Sequence, residues 1–107
     1  ADVSWKHGIT GTLKIAHLAE AFGMRCEIHT TTTGPLDIAN LHVSCAIRNC
    51  EYFELFVPED VFQFPMTTPL PIDGNGFIHV PGAPGLGVEL DWDAIDKGCV
   101  SYKRTDV

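Results

Sequence analysis

Met24-Arg25-Cys26-Glu27-Ile28-His29-Thr30-Thr31-Thr32-Thr33-Gly34-Pro35 is the passage on which the fold turns. It alternates toward its end and then runs into four β-branched threonines, so it reads as a strand ending near His29 in extended chain. Gly34-Pro35 breaks that run, and Pro35 suits the first turn of a helix. The helix follows over Leu36 to Arg48, with Leu36, Ala39, Val43 and Ala46 on one face and Ile38, Leu41 and Cys45 on another. Such all-round apolarity predicts a helix with little exposed surface. Asn49-Cys50 closes it, and Tyr52-Phe53-Glu54-Leu55-Phe56 reads as a buried strand with one carboxylate in it.

Working back from Met24, a helix is signalled from Thr10, which is placed to cap it. Leu13, Ile15, Ala16, Leu18, Ala19 and Phe22 give its apolar stripe, and Gly23 its stop. Ala1 to Trp5 reads as a further strand, turning at Lys6-His7-Gly8. Strand, helix, strand, helix, strand with short connections is the order of parallel βα units, hence an α/β fold. A chain that opens directly on a strand is expected to be processed or part of something longer.

Beyond Phe56 the composition changes. Six prolines and five glycines punctuate residues 58 to 90, with Phe77 to Val80 and Val88 to Leu90 as short strands and Asp73-Gly74-Asn75-Gly76 as a turn. Asp91 caps a last helix, Trp92 to Lys97, which Gly98 stops.

The 107 residues hold 14 Asp and Glu against 7 Lys and Arg, with 45% apolar content. That excludes disorder, and scattered cations on an acidic chain exclude nucleic-acid binding. No apolar run is long enough to span a membrane. Cys26, Cys45, Cys50 and Cys99 form no C-x-x-C pair, so reduced, mostly buried thiols and a cytoplasmic location are expected, with a two-disulfide secreted domain as the rival.

Asp2, His29 and Glu54 fall at, or just inside, the C-terminal ends of the three strands, where parallel αβ architectures gather catalytic groups. Singly, Asp2 also reads as a solvated terminus and His29 as a satisfied polar residue. Glu54, between Phe53 and Leu55, is costly to bury without a partner. Together they suit proton transfer: a His oriented by a carboxylate, with a second carboxyl group to meet a developing oxyanion. His17 and His42 read as structural. Asp91, Asp93 and Asp96 read as a surface helix rather than a Ca²⁺ loop, and Gly82 to Gly87 lacks the setting of a phosphate loop.

Asp2, then Gly8-Ile9-Thr10-Gly11 and a helix, His29 and Glu54 on the next two strands, and the tail Pro81-Gly82-Ala83-Pro84-Gly85-Leu86-Gly87-Val88-Glu89-Leu90-Asp91 resemble the mandelate racemase subgroup of the enolase superfamily. The resemblance implies the last three βα units of a modified (β/α) TIM-type barrel in residues 1 to 57, strands six to eight. Residues 58 to 107 would pack on the barrel and return toward an α+β capping domain, with roughly 250 or more residues upstream.

It further implies a hydro-lyase that removes the proton α to the carboxylate of a sugar acid, an aldonate or aldarate, and expels the 3-hydroxyl through an enediolate. A racemase or epimerase of a 2-hydroxy acid, or a non-catalytic fragment or paralogue, is the alternative. His29 would be the base and then the acid that assists the leaving hydroxyl, Asp2 its partner, and Glu54 a hydrogen-bond donor to the substrate carboxylate. The cofactor implied is Mg²⁺, with its ligands upstream and none in this chain; the fragment alone would be inactive. The implied partner is a small-molecule carboxylate, and the full-length enzyme a homo-oligomer. His7 stands where related sequences commonly have a second glycine, so it is a candidate substrate contact, as are Thr30 and Thr31.

Overall fold

A computed structural model describes residues 1–30, 34–70 and 72–103. Four helices run in chain order: α1, Gly8–Ala21; α2, Pro35–Ala46; α3, Glu59–Phe62; α4, Trp92–Gly98. Three extended segments lie between and before them. His29 N–H donates to Ala1 O at 2.6 Å, and Ile28 bridges Phe53 in parallel, so the segments at residues 1–2, 27–30 and 52–54 lie side by side in that order. Between the second and third segments the parallel sense expected of the strands holds. Their length does not: among the described residues the pairings are isolated bridges rather than ladders.

The first expected strand is the clearest correction. After Asp2 the chain turns, with Trp5 N–H and Lys6 N–H both donating to Asp2 O. The Asp2 carboxylate also accepts from Ser4 N–H at 2.8 Å, an Asx-type turn that offers the backbone an alternative to a sheet ladder.

Helix α1 begins two residues before the expected cap. His7 occupies the N-cap position at φ 59° without a side-chain cap, and Thr10 lies inside the helix. A Cβ at Gly11 would collide with the Lys6 carbonyl, so glycine there lets the 3–7 turn fold back against α1. The buried face of α1 is narrower than its apolar stripe. Thr12 and Ala16 are buried and Leu13 and Ala19 pack beside them, whereas Ile15, Leu18 and Phe22 are exposed.

Pro35 opens α2 as expected, and the two faces read from its sequence become two sides of the core. Ala39 and Val43 join Val3, Ala16, Cys26, Ile28 and Ile47 in one cluster, while Ile38 and Leu41 join Leu70 in the other. Leu36 and Cys45 stay exposed. Burying one residue such as Ile28 contributes about 1.5–3 kcal/mol, so α2, with six buried positions, organises the packing.

The third segment is not buried as expected. Phe53 packs against the second cluster, but Tyr52 is 70% exposed and Phe56 and Glu54 are also exposed, because α2 covers one face of the segment. A carboxylate fixes where this segment starts. Glu27 Oε2 accepts from Glu51 N–H at 3.1 Å, Tyr52 N–H at 3.0 Å and Cys50 Sγ at 3.3 Å. These donors, Tyr52 foremost, hold the Glu27 carboxyl below its ordinary range.

In the tail, Met66 bridges Leu90 and Ile72 bridges Ile78, both antiparallel. Gly34, at φ 63°, receives the α3 end through Gly34 N–H to Phe62 O at 3.0 Å. His42 of α2 bonds Leu86 O at 3.0 Å and ties the tail to the core. Asp91 caps α4 as expected, accepting from Ala94 N–H. All four cysteines are free thiols, but of these only Cys26 is buried; Cys45 and Cys99 are exposed, which corrects the expectation of mostly buried thiols. Among the described residues no helix is long and apolar enough to cross a membrane.

Candidate active site

The parallel arrangement brings Asp2, at the end of the first segment, beside His29, at the end of the second. His29 Nδ1 lies 3.7 Å from Asp2 Oδ2, within ion-pair range and longer than a hydrogen bond. The two environments differ sharply: Asp2 is 1% exposed, while the His29 side chain is 45% exposed. A buried carboxylate therefore faces one ring nitrogen, and the rest of the imidazole reaches solvent. That arrangement favours Nδ1 as the protonated nitrogen and Nε2 as the one that can accept a proton.

The solvated-terminus reading of Asp2 is thereby overturned. Its Oδ1 accepts from Ser4 N–H at 2.8 Å, Ser4 Oγ–H at 2.7 Å and Asn40 Nδ2–H at 3.4 Å. On the outer side of the pair, Trp5 sets its ring 5.5 Å from that of His29, tilted 41°.

Glu54 arrives from the third segment. A cleft of about 260 Å³ is lined by His29, Glu54, Leu55 and Phe56, so the expected base and the expected carboxyl donor share one opening. Thr30 is fully buried, and its N–H and hydroxyl are both directed to Glu54. Its N–H donates to Glu54 Oε2 at 3.0 Å and its hydroxyl to Glu54 O at 3.1 Å. Thr30, expected as a substrate contact, anchors Glu54 here and does not line the cleft. Thr31 lies outside the described residues. His7 is exposed and lines a separate cavity of about 460 Å³ with Val3, Pro35 and Leu36, away from His29.

Two residues at the site were not singled out from the sequence. Trp5 had no signal beyond its aromatic character. Asn40 had one: a polar side chain in a helix apolar on all sides needs a buried partner, and that partner lies 38 residues away.

Among the described residues no three His, Cys, Asp or Glu side chains converge where a metal ion could be held. Asp2 and Glu54, the carboxylates nearest the cleft, are engaged by Ser4, Asn40 and Thr30. These residues do not fit a resident Mg²⁺, and the chemistry they can supply is proton transfer and charge stabilisation.

Residues 1–94 match the family described as Enolase C-terminal domain-like. The chain is 32% identical over 94 residues to muconate cycloisomerase 1 of Rhodococcus opacus, an alignment covering 82% of this chain and 24% of that protein. A crystal structure from Pseudovibrio sp., assigned to the mandelate racemase/muconate lactonizing enzymes, superposes with a TM-score of 0.82 at 36% identity, over 88% of this chain and 25% of that one. D-glucarate dehydratase from Agrobacterium tumefaciens, crystallised with magnesium, gives 0.67 at 43% identity over 84% of this chain and 24% of that one. The chain spans about a quarter of the length of these proteins.

Proposed function

The chain belongs to the enolase C-terminal domain-like family, and from that premise we propose that it supplies the acid-base half of a sugar-acid dehydratase site. The observation that supports the reading is the pairing of His29 with buried Asp2 at 3.7 Å, in a cleft that Glu54 also lines. The similarity to muconate cycloisomerase 1 and D-glucarate dehydratase supports the wider class, chemistry on small carboxylates.

In this reading Nε2 of His29 removes the proton α to the substrate carboxylate. The positive charge formed on the ring is stabilised by Asp2, whose carboxylate faces Nδ1. His29 then returns the proton to the departing 3-hydroxyl, so one side chain serves both steps and the leaving group goes as water. Glu54, fixed by the Thr30 amide, stands beside the substrate carboxylate and, when protonated, donates a hydrogen bond to it as negative charge accumulates. The product is a 2-keto-3-deoxy acid after tautomerisation.

The test uses the complete protein with Mg²⁺ supplied and a panel of aldonates and aldarates in D₂O. For a dehydrated substrate water is lost and solvent deuterium enters C3 of the 2-keto-3-deoxy product, C2 having become the carbonyl. His29→Asn lowers α-proton abstraction, read as labelled product or as exchange at C2 of recovered substrate, by about 10²–10⁴-fold, the usual contribution of a positioned base. Exchange that survives His29→Asn overturns the assignment. Deuterium uptake with the 3-hydroxyl retained identifies a racemase or epimerase on the same pair.

A further inference from the structure

Asn40 sits in the middle of α2, fully buried, and both ends of its amide point toward the first segment. Its Oδ1 accepts from Val3 N–H at 3.0 Å and its Nδ2 donates to Asp2 Oδ1 at 3.4 Å. Val3 N–H can only donate and a carboxylate oxygen can only accept, so the amide has one orientation that satisfies both. Ser4 completes the arrangement with its N–H and its hydroxyl, both on the same Asp2 oxygen. Three donors thus converge on Oδ1, and Oδ2 is the oxygen nearest His29 Nδ1.

We infer that Asn40 and Ser4 are positioning residues for the acid-base pair, locking the plane of the Asp2 carboxylate so that its second oxygen meets His29. The inference rests on the proposed role of His29. Neither residue lines the cleft of His29, Glu54, Leu55 and Phe56, so both act through Asp2. A buried amide in a helix whose neighbours Ile38, Ala39 and Leu41 are apolar is costly unless its hydrogen bonds are made, and here they are made to the segment that holds the base's partner. The ionisable groups around His29 are Asp2 from the first segment and Glu54 from the third. The Ala1 ammonium is turned to Glu27 O, and α2 offers the neutral Asn40, with buried Asp37 three residues before it. Loss of those donors lets the Asp2 carboxylate turn, so that Oδ2 no longer keeps its place opposite Nδ1 of His29.

The experiment titrates the His29 imidazole by ¹⁵N NMR in the complete protein, alongside the pH profile of α-proton exchange. Ser4→Ala removes an exposed hydroxyl and spares the core; Ser4→Thr restores the donor; Asn40→Ala removes the buried one. The Nδ1–H tautomer population of His29 changes in Ser4→Ala and Asn40→Ala and returns in Ser4→Thr. In Asn40→Ala, kcat drops about tenfold, the worth of one hydrogen bond to a charged group, while KM stays within about twofold. Should Asn40→Ala fail to fold, the Ser4 pair decides alone. Tautomer populations unchanged in the folded variants overturn the inference, whatever the activity. A tautomer population that moves in a protein whose exchange does not need His29 upholds the positioning and sinks the functional reading instead.

Discussion

At the scale of single residues, the same device recurs: a carboxylate that accepts from nearby backbone N–H, one or more, and so decides where a segment goes. Asp2 does this for the first turn, Glu27 for the start of the third segment, and Asp73 for the turn before Phe77. Asp73 Oδ1 accepts from Asn75 N–H and Phe77 N–H, and its other oxygen lies 2.9 Å from His79 Nε2. The Phe77 amide foremost, then His79, holds the Asp73 carboxyl down at about 2, against an ordinary value of 3.8. A depressed carboxyl stabilises the fold above its unfolded value. The turn is therefore fully supported above about pH 4, and that support is lost as pH falls through about 2. Carboxyl ¹³C shifts followed from pH 6 to pH 1.5 show a late Asp73 titration, and Asp73→Asn removes the pH dependence of the Phe77 amide shift.

At the scale of elements, α1 and α2 were legible because proline, glycine and a 3.6-residue period all pointed the same way. The strands were legible in direction and not in extent. Period-2 alternation cannot report that Asp2 draws the chain into a turn after two residues, nor that Tyr52 and Phe56 lie on an uncovered face. Gly11 is where local sequence and tertiary contact meet, since its α-hydrogen stands where any larger group would strike Lys6 O. Gly11→Ala gains helix propensity yet destabilises the folded state by about 3 kcal/mol, the upper end for overpacking, because the 3–7 turn must move. Urea unfolding of the complete protein measures it, and His29-dependent exchange falls with it because Ser4, which donates to Asp2, belongs to that turn.

At the scale of the whole molecule, the three residues proposed for the site were readable from one rule, that catalytic groups gather at the C-terminal ends of parallel strands. What holds them was not readable, because Asn40 and Thr30 act on partners 38 and 24 residues distant. The tail was readable as a change of composition, while the His42–Leu86 bond and the pairing of Met66 with Leu90 have no local signature. The described surface displays Phe22, Met24, Tyr52, Val57, Phe77 and Tyr102, each more than half exposed. Apolar display on that scale marks surface suited to contact. The 107 residues expressed alone accordingly bind the dye ANS with a strong fluorescence rise, and the complete protein shows the smaller signal per molecule; equal signals contradict this.

One helix touches both ends of this arrangement. Asn40 of α2 reaches Asp2, and two residues along, His42 holds the carbonyl of Leu86 in the tail. The same rigid helix therefore links the 81–88 loop to the residue proposed to hold the Asp2 carboxylate. A library of the complete protein varied around Leu86 alone is expected to lose His29-dependent exchange before it loses the fold, and one in which both fall together contradicts this coupling.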